Sequence, residues 1–282
     1  MGKKIVTLKL ISIVLLISIS GHVCYAQPKQ LKADSYSKSK PTQTFSIKSN
    51  YAKDREYIMH VTYAIDSLIP GKKYPLLYYT DGWLNVDFFN QAGDWLSYYK
   101  EIEPVILIGI SFMATENEWS ELRKEDFLPP QTDPNKVSGS KNFLNFISKE
   151  LIPYVEEHYP VDPSDRGLFG YSFGGLFTTW VLKEHPKLFK RIGISSPSLW
   201  FDDFNLLKDP KLAESIASLN DQKIFVEYGS SESENQKTGG ESLFEILNSN
   251  NQIQLKKFVL DGGHYSAYPE TIIKTLTYLY NR

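Results

Sequence analysis

Apolar residues along the chain fall into two kinds of run. The first kind is short and nearly unbroken: Tyr74-Pro75-Leu76-Leu77-Tyr78-Tyr79-Thr80, Val105-Ile106-Leu107-Ile108-Gly109-Ile110, Leu168-Phe169, Arg191–Ser195, Lys223–Tyr228 and Leu255–Leu260. Runs of this type read as strands covered on both faces. The second kind recurs every three or four residues. Phe88, Phe89, Trp95 and Leu96 predict a helix over 86–98, and Phe143 through Val155 predict another over 141–158. Pro153 inside that pattern predicts a kink or a restart. Further helices are expected from Ser172 to about His185-Pro186, around 211–218, near 240–248 and from about Pro269 to Tyr280. Thr44-Phe45-Ser46-Ile47 and the stretch from Arg55 to Tyr63 read as strands ahead of these. Ser111 to Ser140 shows no clear period and reads as a long loop of the functional kind. Buried strands alternating with amphipathic helices predict an α/β fold with a largely parallel central sheet and helices on both faces.

The first residues follow a different rule. Lys3, Lys4 and Lys9 precede an apolar run from Leu10 to Ile19, and Cys24 and Ala26 give the small-residue spacing of a cleavage site before Gln27. This predicts a signal peptide over 1–26, since the run is too short to span a bilayer. Residues 27–42, rich in Lys, Ser and Gln, read as a flexible leader. The remainder, 43–282, reads as one domain, and its length allows a large core. The expected location is the periplasm or the medium, without a stable membrane anchor once the signal is removed. The formal net charge is -2, and loss of the three signal lysines moves it further to the acidic side, which excludes nucleic acid as the main partner. Cys24, the single cysteine, also leaves with the signal. The mature chain then has no disulfide, no thiol nucleophile and no cysteine metal site. No His or carboxylate pair shows metal-ligand spacing, so neither metal nor cofactor is expected.

Candidate chemistry centres on Gly170-Tyr171-Ser172-Phe173-Gly174. The G-x-S-x-G pattern is weak alone, but here a strand precedes it and a helix follows. That context makes it a nucleophile elbow, with Ser172 on a tight strand-to-helix turn and the Phe173 N–H placed to stabilise an oxyanion. A serine nucleophile needs a base and a group to orient that base. Of the histidines, His60 lies in a strand, His158 at a helix end, and His185 at the far end of the helix that starts at Ser172. His264 follows a strand and a Gly-Gly pair, so it falls at the carboxyl edge of the sheet, where ligands bind in open α/β folds. The acid should follow the strand Lys223–Tyr228. Glu232 is the first choice and Glu234 the runner-up, while Glu227 alternates inside the strand and is set aside. A second oxyanion donor is expected in the loop after the third core strand, where Trp83 N–H in Asp81-Gly82-Trp83 is the candidate and a plain turn the alternative.

Beyond the elbow, Tyr74 through Gly82, Arg123 with Asp126-Phe127 and Pro129, Phe143 through Tyr159, Ser196-Pro197-Ser198-Leu199-Trp200 and Gly263-His264 complete a pattern over about 44–280. Together they resemble the Putative esterase family of the α/β-hydrolases. That family includes enterochelin (siderophore) esterases, feruloyl and acetyl-xylan esterases, S-formylglutathione hydrolase and mycolyltransferases, and the siderophore-esterase-like members resemble this chain most. The resemblance implies an α/β-hydrolase fold and ester hydrolysis through an acyl-enzyme on Ser172, with His264 as base and then acid. It implies that Trp200, after the Ser-Pro-Ser segment, walls the cleft, unless it is a core residue. Arg123 would meet a substrate carboxylate or phenolate, or else form a surface ion pair. The implied substrate is a bulky or aromatic ester such as a siderophore lactone. A feruloyl or acetyl ester on plant polysaccharide, acyl transfer to an alcohol, and a catalytically silent binding protein stand as alternatives.

Overall fold

Among the described residues, the apolar runs form one eight-stranded sheet. The computed structural model describes residues 42–282 except 53–54, 66–67 and 113. The expected signal peptide and nearly all of the expected leader lie outside the described residues. The strands are β1 (Gln43–Lys48), β2 (Glu56–Ala64), β3 (Tyr74–Tyr79), β4 (Val105–Phe112), β5 (Val161–Tyr171), β6 (Arg191–Ser195), β7 (Lys223–Gly229) and β8 (Gln254–Leu260). Their order is β1-β2-β4-β3-β5-β6-β7-β8. β1 and β2 form an antiparallel edge, β2 lies antiparallel to β4, and every later pairing is parallel.

Side chains alternate across the sheet, and in the central strands both faces are buried. Tyr74, Leu76, Tyr78, Ile106, Ile108, Ile192, Ile194, Ile224 and Val226 share one core with Phe143, Phe146, Leu176 and Phe177. Leu77, Tyr79, Val105, Leu107, Phe169 and Phe225 share the other with Phe89, Leu96, Ile272 and Leu276. The period of two along each strand therefore sorts residues between the two helical layers. The helices are α1 (Gly82–Tyr98), α2 (Glu116–Phe127), α3 (Ser140–Phe146), α4 (Ile152–His158), α5 (Phe173–Glu184), α6 (Phe201–Lys208), α7 (Pro210–Ala217), α8 (Glu234–Asn248) and α9 (Tyr268–Leu279). α1 and α9 cover one face, while α3, α5, α7 and α8 contribute to the other.

Three elements differ from the sequence expectation. The long aperiodic segment contains α2, whose start is held by the Glu118 carboxylate accepting from the Thr115 N–H at 3.0 Å and the Thr115 hydroxyl at 2.6 Å. Its inward residues Trp119, Leu122 and Phe127 sit among charged neighbours that dilute the apolar pattern. α6 was not expected, and it contains a left-handed run at Asp202, Asp203 and Phe204. α8 starts six residues before the expected 240. Gly239 and Gly240 lower the helical signal there, while allowing close approach to Leu199 and Tyr228. At Pro153 the helix restarts, as expected: a π-helical stretch, Ile147–Leu151, joins α3 to α4, and Pro153 sits in the first turn of α4.

Candidate active site

The elbow forms where β5 meets α5. Ser172 adopts φ 60, ψ -119, a conformation that side-chain-bearing residues rarely hold. Its backbone is fixed on three sides: its N–H donates to Ser195 O at 3.0 Å, and its carbonyl accepts from Leu176 and Ser198 N–H at 3.0 and 3.1 Å. The flanking glycines are required by space. A Cβ on Gly170 would clash with the Gly174 carbonyl, and one on Gly174 with the Thr80 hydroxyl. Phe173 opens α5, so its N–H belongs to the unpaired first turn beside Ser172.

His264 arrives from the loop after β8, and its Nε2 lies 3.1 Å from Ser172 Oγ. Nδ1 lies 3.4 Å from Glu232 Oε2, a close contact and longer than a well-aligned hydrogen bond. Such contacts are often long before substrate is bound. Glu232 sits in the turn after β7, with its side chain 1% exposed. Burial opposes its charge, but His264, the Ser196 hydroxyl (2.5 Å) and the Gly229 N–H (3.2 Å) outweigh it and hold the carboxyl below its usual range. The two loops are laced together by Ser230 N–H to Leu260 O and Ser231 N–H to Gly262 O, at 2.7 and 2.8 Å. The structure thus brings Ser172, His264 and Glu232 together at the carboxyl ends of β5, β8 and β7. Glu234, the runner-up acid, opens α8, faces solvent and pairs with Lys237 at 2.6 Å.

The opposite side of the site is built by α1 and α2. Asp81 takes φ 57 and caps α1, and its carbonyl accepts from Leu84 and Asn85 N–H at 3.1 and 3.2 Å. Trp83 N–H, in the unpaired first turn, lies between Asp81 and Leu84, which both line the cleft. Arg123 reaches the same wall and lines the cleft as a cation already held by protein groups. Its Nε and Nη2 grip Asp81 at 2.7 and 2.9 Å, and Nη2 also donates to Tyr171 O at 3.2 Å. The guanidinium lies 5.2 to 5.6 Å from the Trp119, Phe127 and Phe173 rings. It is neither a surface ion pair nor a free cation, since the side chains are 11% and 4% exposed. Trp200 also departs from expectation. Its indole N–H donates to Gln236 Oε1 at 2.7 Å and its ring lies 6.3 Å from Phe173, one residue removed from the cleft.

The cleft has a volume of about 520 Å³, and Ser172 and His264 open into it. Its apolar walls are Leu84, Phe88, Trp119, Phe173, Tyr265 and Tyr268. Sequence reasoning did not single out most of these, because no period or motif marks a wall residue. It also passed over Ser198, whose hydroxyl is 3.3 Å from that of Ser172, and Ser196, which orients Glu232. The Ser196-Pro197-Ser198 segment was the available signal, since it follows a buried strand at the same sheet edge.

Comparison with known proteins gives consistent similarities. The family profile described as "Putative esterase" matches residues 56–276. Ferri-bacillibactin esterase BesA of Bacillus subtilis (strain 168) is 30% identical over 132 residues, 43% of this chain and 45% of that protein. The apo-salmochelin esterase of Escherichia coli O6:H1 is 28% identical over 142 residues, 46% of this chain and 43% of that protein. These matches span less than half the length of either relative. Among solved structures, a BES protein from Bacillus cereus superposes with a TM-score of 0.78 at 24% identity, covering 91% of this chain and 100% of that one. The siderophore hydrolase EstA from Aspergillus nidulans gives 0.68 at 21% identity, covering 90% and 97%. At these identities the structures establish a shared fold.

Proposed function

The chain belongs to the Putative esterase family, and from that premise we propose that it is a serine ester hydrolase working through an acyl-enzyme on a bulky or aromatic ester of the siderophore type. The observation that carries this reading is the 3.1 Å contact between His264 Nε2 and Ser172 Oγ at the mouth of an aromatic cleft. Ser172 Oγ attacks the ester carbonyl as His264 Nε2 takes its proton, and Glu232 stabilises the imidazolium from the Nδ1 side. Phe173 and Trp83 N–H groups hold the oxyanion at two helix N-termini. Collapse breaks the bond to the alcohol oxygen, which receives the proton from His264. A water then repeats the sequence, releasing the acid and restoring Ser172. The substrate class rests on the aromatic walls and on the named activities of the relatives, which are siderophore esterases. Export rests on the sequence over 1–26, and N-terminal sequencing of protein recovered from the periplasm should begin at Gln27.

The test is hydrolysis of p-nitrophenyl acetate beside Ser172→Ala and His264→Ala, followed by a siderophore trilactone and a feruloyl ester. Each variant should keep the fold and lose roughly 10⁴-fold or more in kcat. A Ser172→Ala variant as active as the parent would overturn the reading.

A further inference from the structure

The outward face of α1 is unusual for a helix packed on a sheet. Its inner residues Phe89 and Leu96 are buried, as expected, but the outer stripe is also apolar: Leu84 is 51% exposed, Phe88 47% and Trp95 66%. On the neighbouring α9, Ile273 is 46% exposed beside buried Ile272. Between the two helices runs a groove of about 350 Å³, walled by Phe88, Ala92 and Trp95 from α1 and by Pro269, Ile272 and Ile273 from α9. That volume is within the range of ligand sites. No charged side chain lines it, and Gln91 supplies its only side-chain amide.

Two residues decide what this groove is for. Phe88 and Pro269 wall both the groove and the cleft that holds Ser172. The two depressions therefore adjoin, with the Phe88 ring, set edge-on to Tyr268 at 6.2 Å, as the divide. A molecule bound by its ester at Ser172 can continue into the groove without leaving apolar surface. The groove lies on the His264 side of the cleft. Tyr268, the residue that Phe88 meets, packs on Tyr171 at 4.4 Å, and Tyr171 packs on His264 at 4.8 Å. His264 gives its proton to the departing oxygen, so the alcohol half of the ester points toward the His264 end.

Resting on the esterase reading above, we propose that the α1–α9 groove is a leaving-group subsite, which binds an uncharged aromatic or branched aliphatic portion of the alcohol half. The acyl half stays in the Ser172 cleft. No charge is matched in the groove, so its contribution is burial of apolar surface.

Three esters test this: methyl butyrate, 4-phenylbutyl butyrate with the bulk on the alcohol, and methyl 4-phenylbutyrate with the same bulk on the acyl group. They are compared with the parent protein, Trp95→Ala, Ile273→Ser and the groove-filling Ala92→Trp, with melting temperature and sedimentation recorded for each. Trp95 and Ile273 are exposed, so their replacement should leave the fold intact. The expected result is a fall in kcat/KM of roughly ten-fold for 4-phenylbutyl butyrate alone, the loss of one aromatic contact. The two methyl esters should stay within about two-fold. An equal fall for all three esters, a fall confined to methyl 4-phenylbutyrate, or no change in any would each overturn the proposal. So would a Trp95→Ala variant that changes from dimer to monomer with unaltered kinetics, because the groove would then belong to a second copy. A parent protein inert toward all three esters and unlabelled by a fluorophosphonate would instead remove the esterase reading itself.

Discussion

Glu232 shows how far one residue depends on its partners. Its carboxyl is buried, yet it stays charged because His264, Ser196 and Gly229 all favour the ionised form. Glu232→Gln should lower kcat by roughly 10²–10⁴ with little change in KM, since it removes stabilisation of the imidazolium and leaves the cleft intact. Glu234→Gln, on an exposed side chain at the start of α8, should match the parent. A steady-state comparison of the two variants decides between the carboxylates, and equal activities would remove Glu232 from the mechanism. The sequence made Ser172, His264 and Glu232 legible because each follows a strand at the same edge of the sheet. The contacts of Arg123 and Trp200 were not legible, for a different reason. Their residue types suit a substrate, but their partners Asp81 and Gln236 lie 42 and 36 residues away. Spacing carries no record of such pairings.

At the scale of elements, the elbow depends on backbone fit at Gly170. Its hypothetical Cβ meets the Gly174 carbonyl, a backbone group that cannot swing aside. Gly170→Ala should therefore cost several kcal/mol, visible as a large fall in melting temperature or as insoluble protein. Gly263→Ala is the matched control in the neighbouring loop, because its nearest new contact is at 3.8 Å. If both variants melt together, the fit at Gly170 is looser than argued. The strands were readable because burial on both faces leaves a nearly unbroken apolar run. α2 was not, since its three core residues stand among charged or polar ones, six of them between Trp119 and Phe127, which break the apolar period. The π-helical turn before Pro153 also lay beyond periodicity, which reports that the helix is disturbed but not how it adjusts.

For the whole molecule, two buried carboxyls far apart in the sequence act together on the response to pH, against a smaller opposing part from His60, whose imidazolium burial disfavours. Burial is the main cause that pushes both Asp126 and Glu227 up to about 7, even though Arg55 and Tyr57 favour the Asp126 charge and the Ser195 and Thr271 hydroxyls favour that of Glu227. Their ordinary values are 3.8 and 4.5, so between about 4 and 7 the folded chain holds protons that the unfolded chain releases. Stability from these groups is full below that window and declines as pH rises through it. Glu232 has the opposite sign and is ionised in both states across most of the window, so it adds little slope there. Melting temperature should fall from pH 5 to pH 8, and Asp126→Asn with Glu227→Gln should flatten the trend. A melting temperature that rises over this range would show that other groups dominate.

The strand order also divides responsibility for the site. In the proposed mechanism the nucleophile, base and acid hang from β5, β8 and β7, whereas Leu84, Phe88, Trp119 and Arg123 belong to the segments that follow β3 and β4. Descendants of this chain can therefore acquire a new diet by changing the cleft-facing side chains of α1 and α2 while inheriting the frame that holds Ser172, His264 and Glu232.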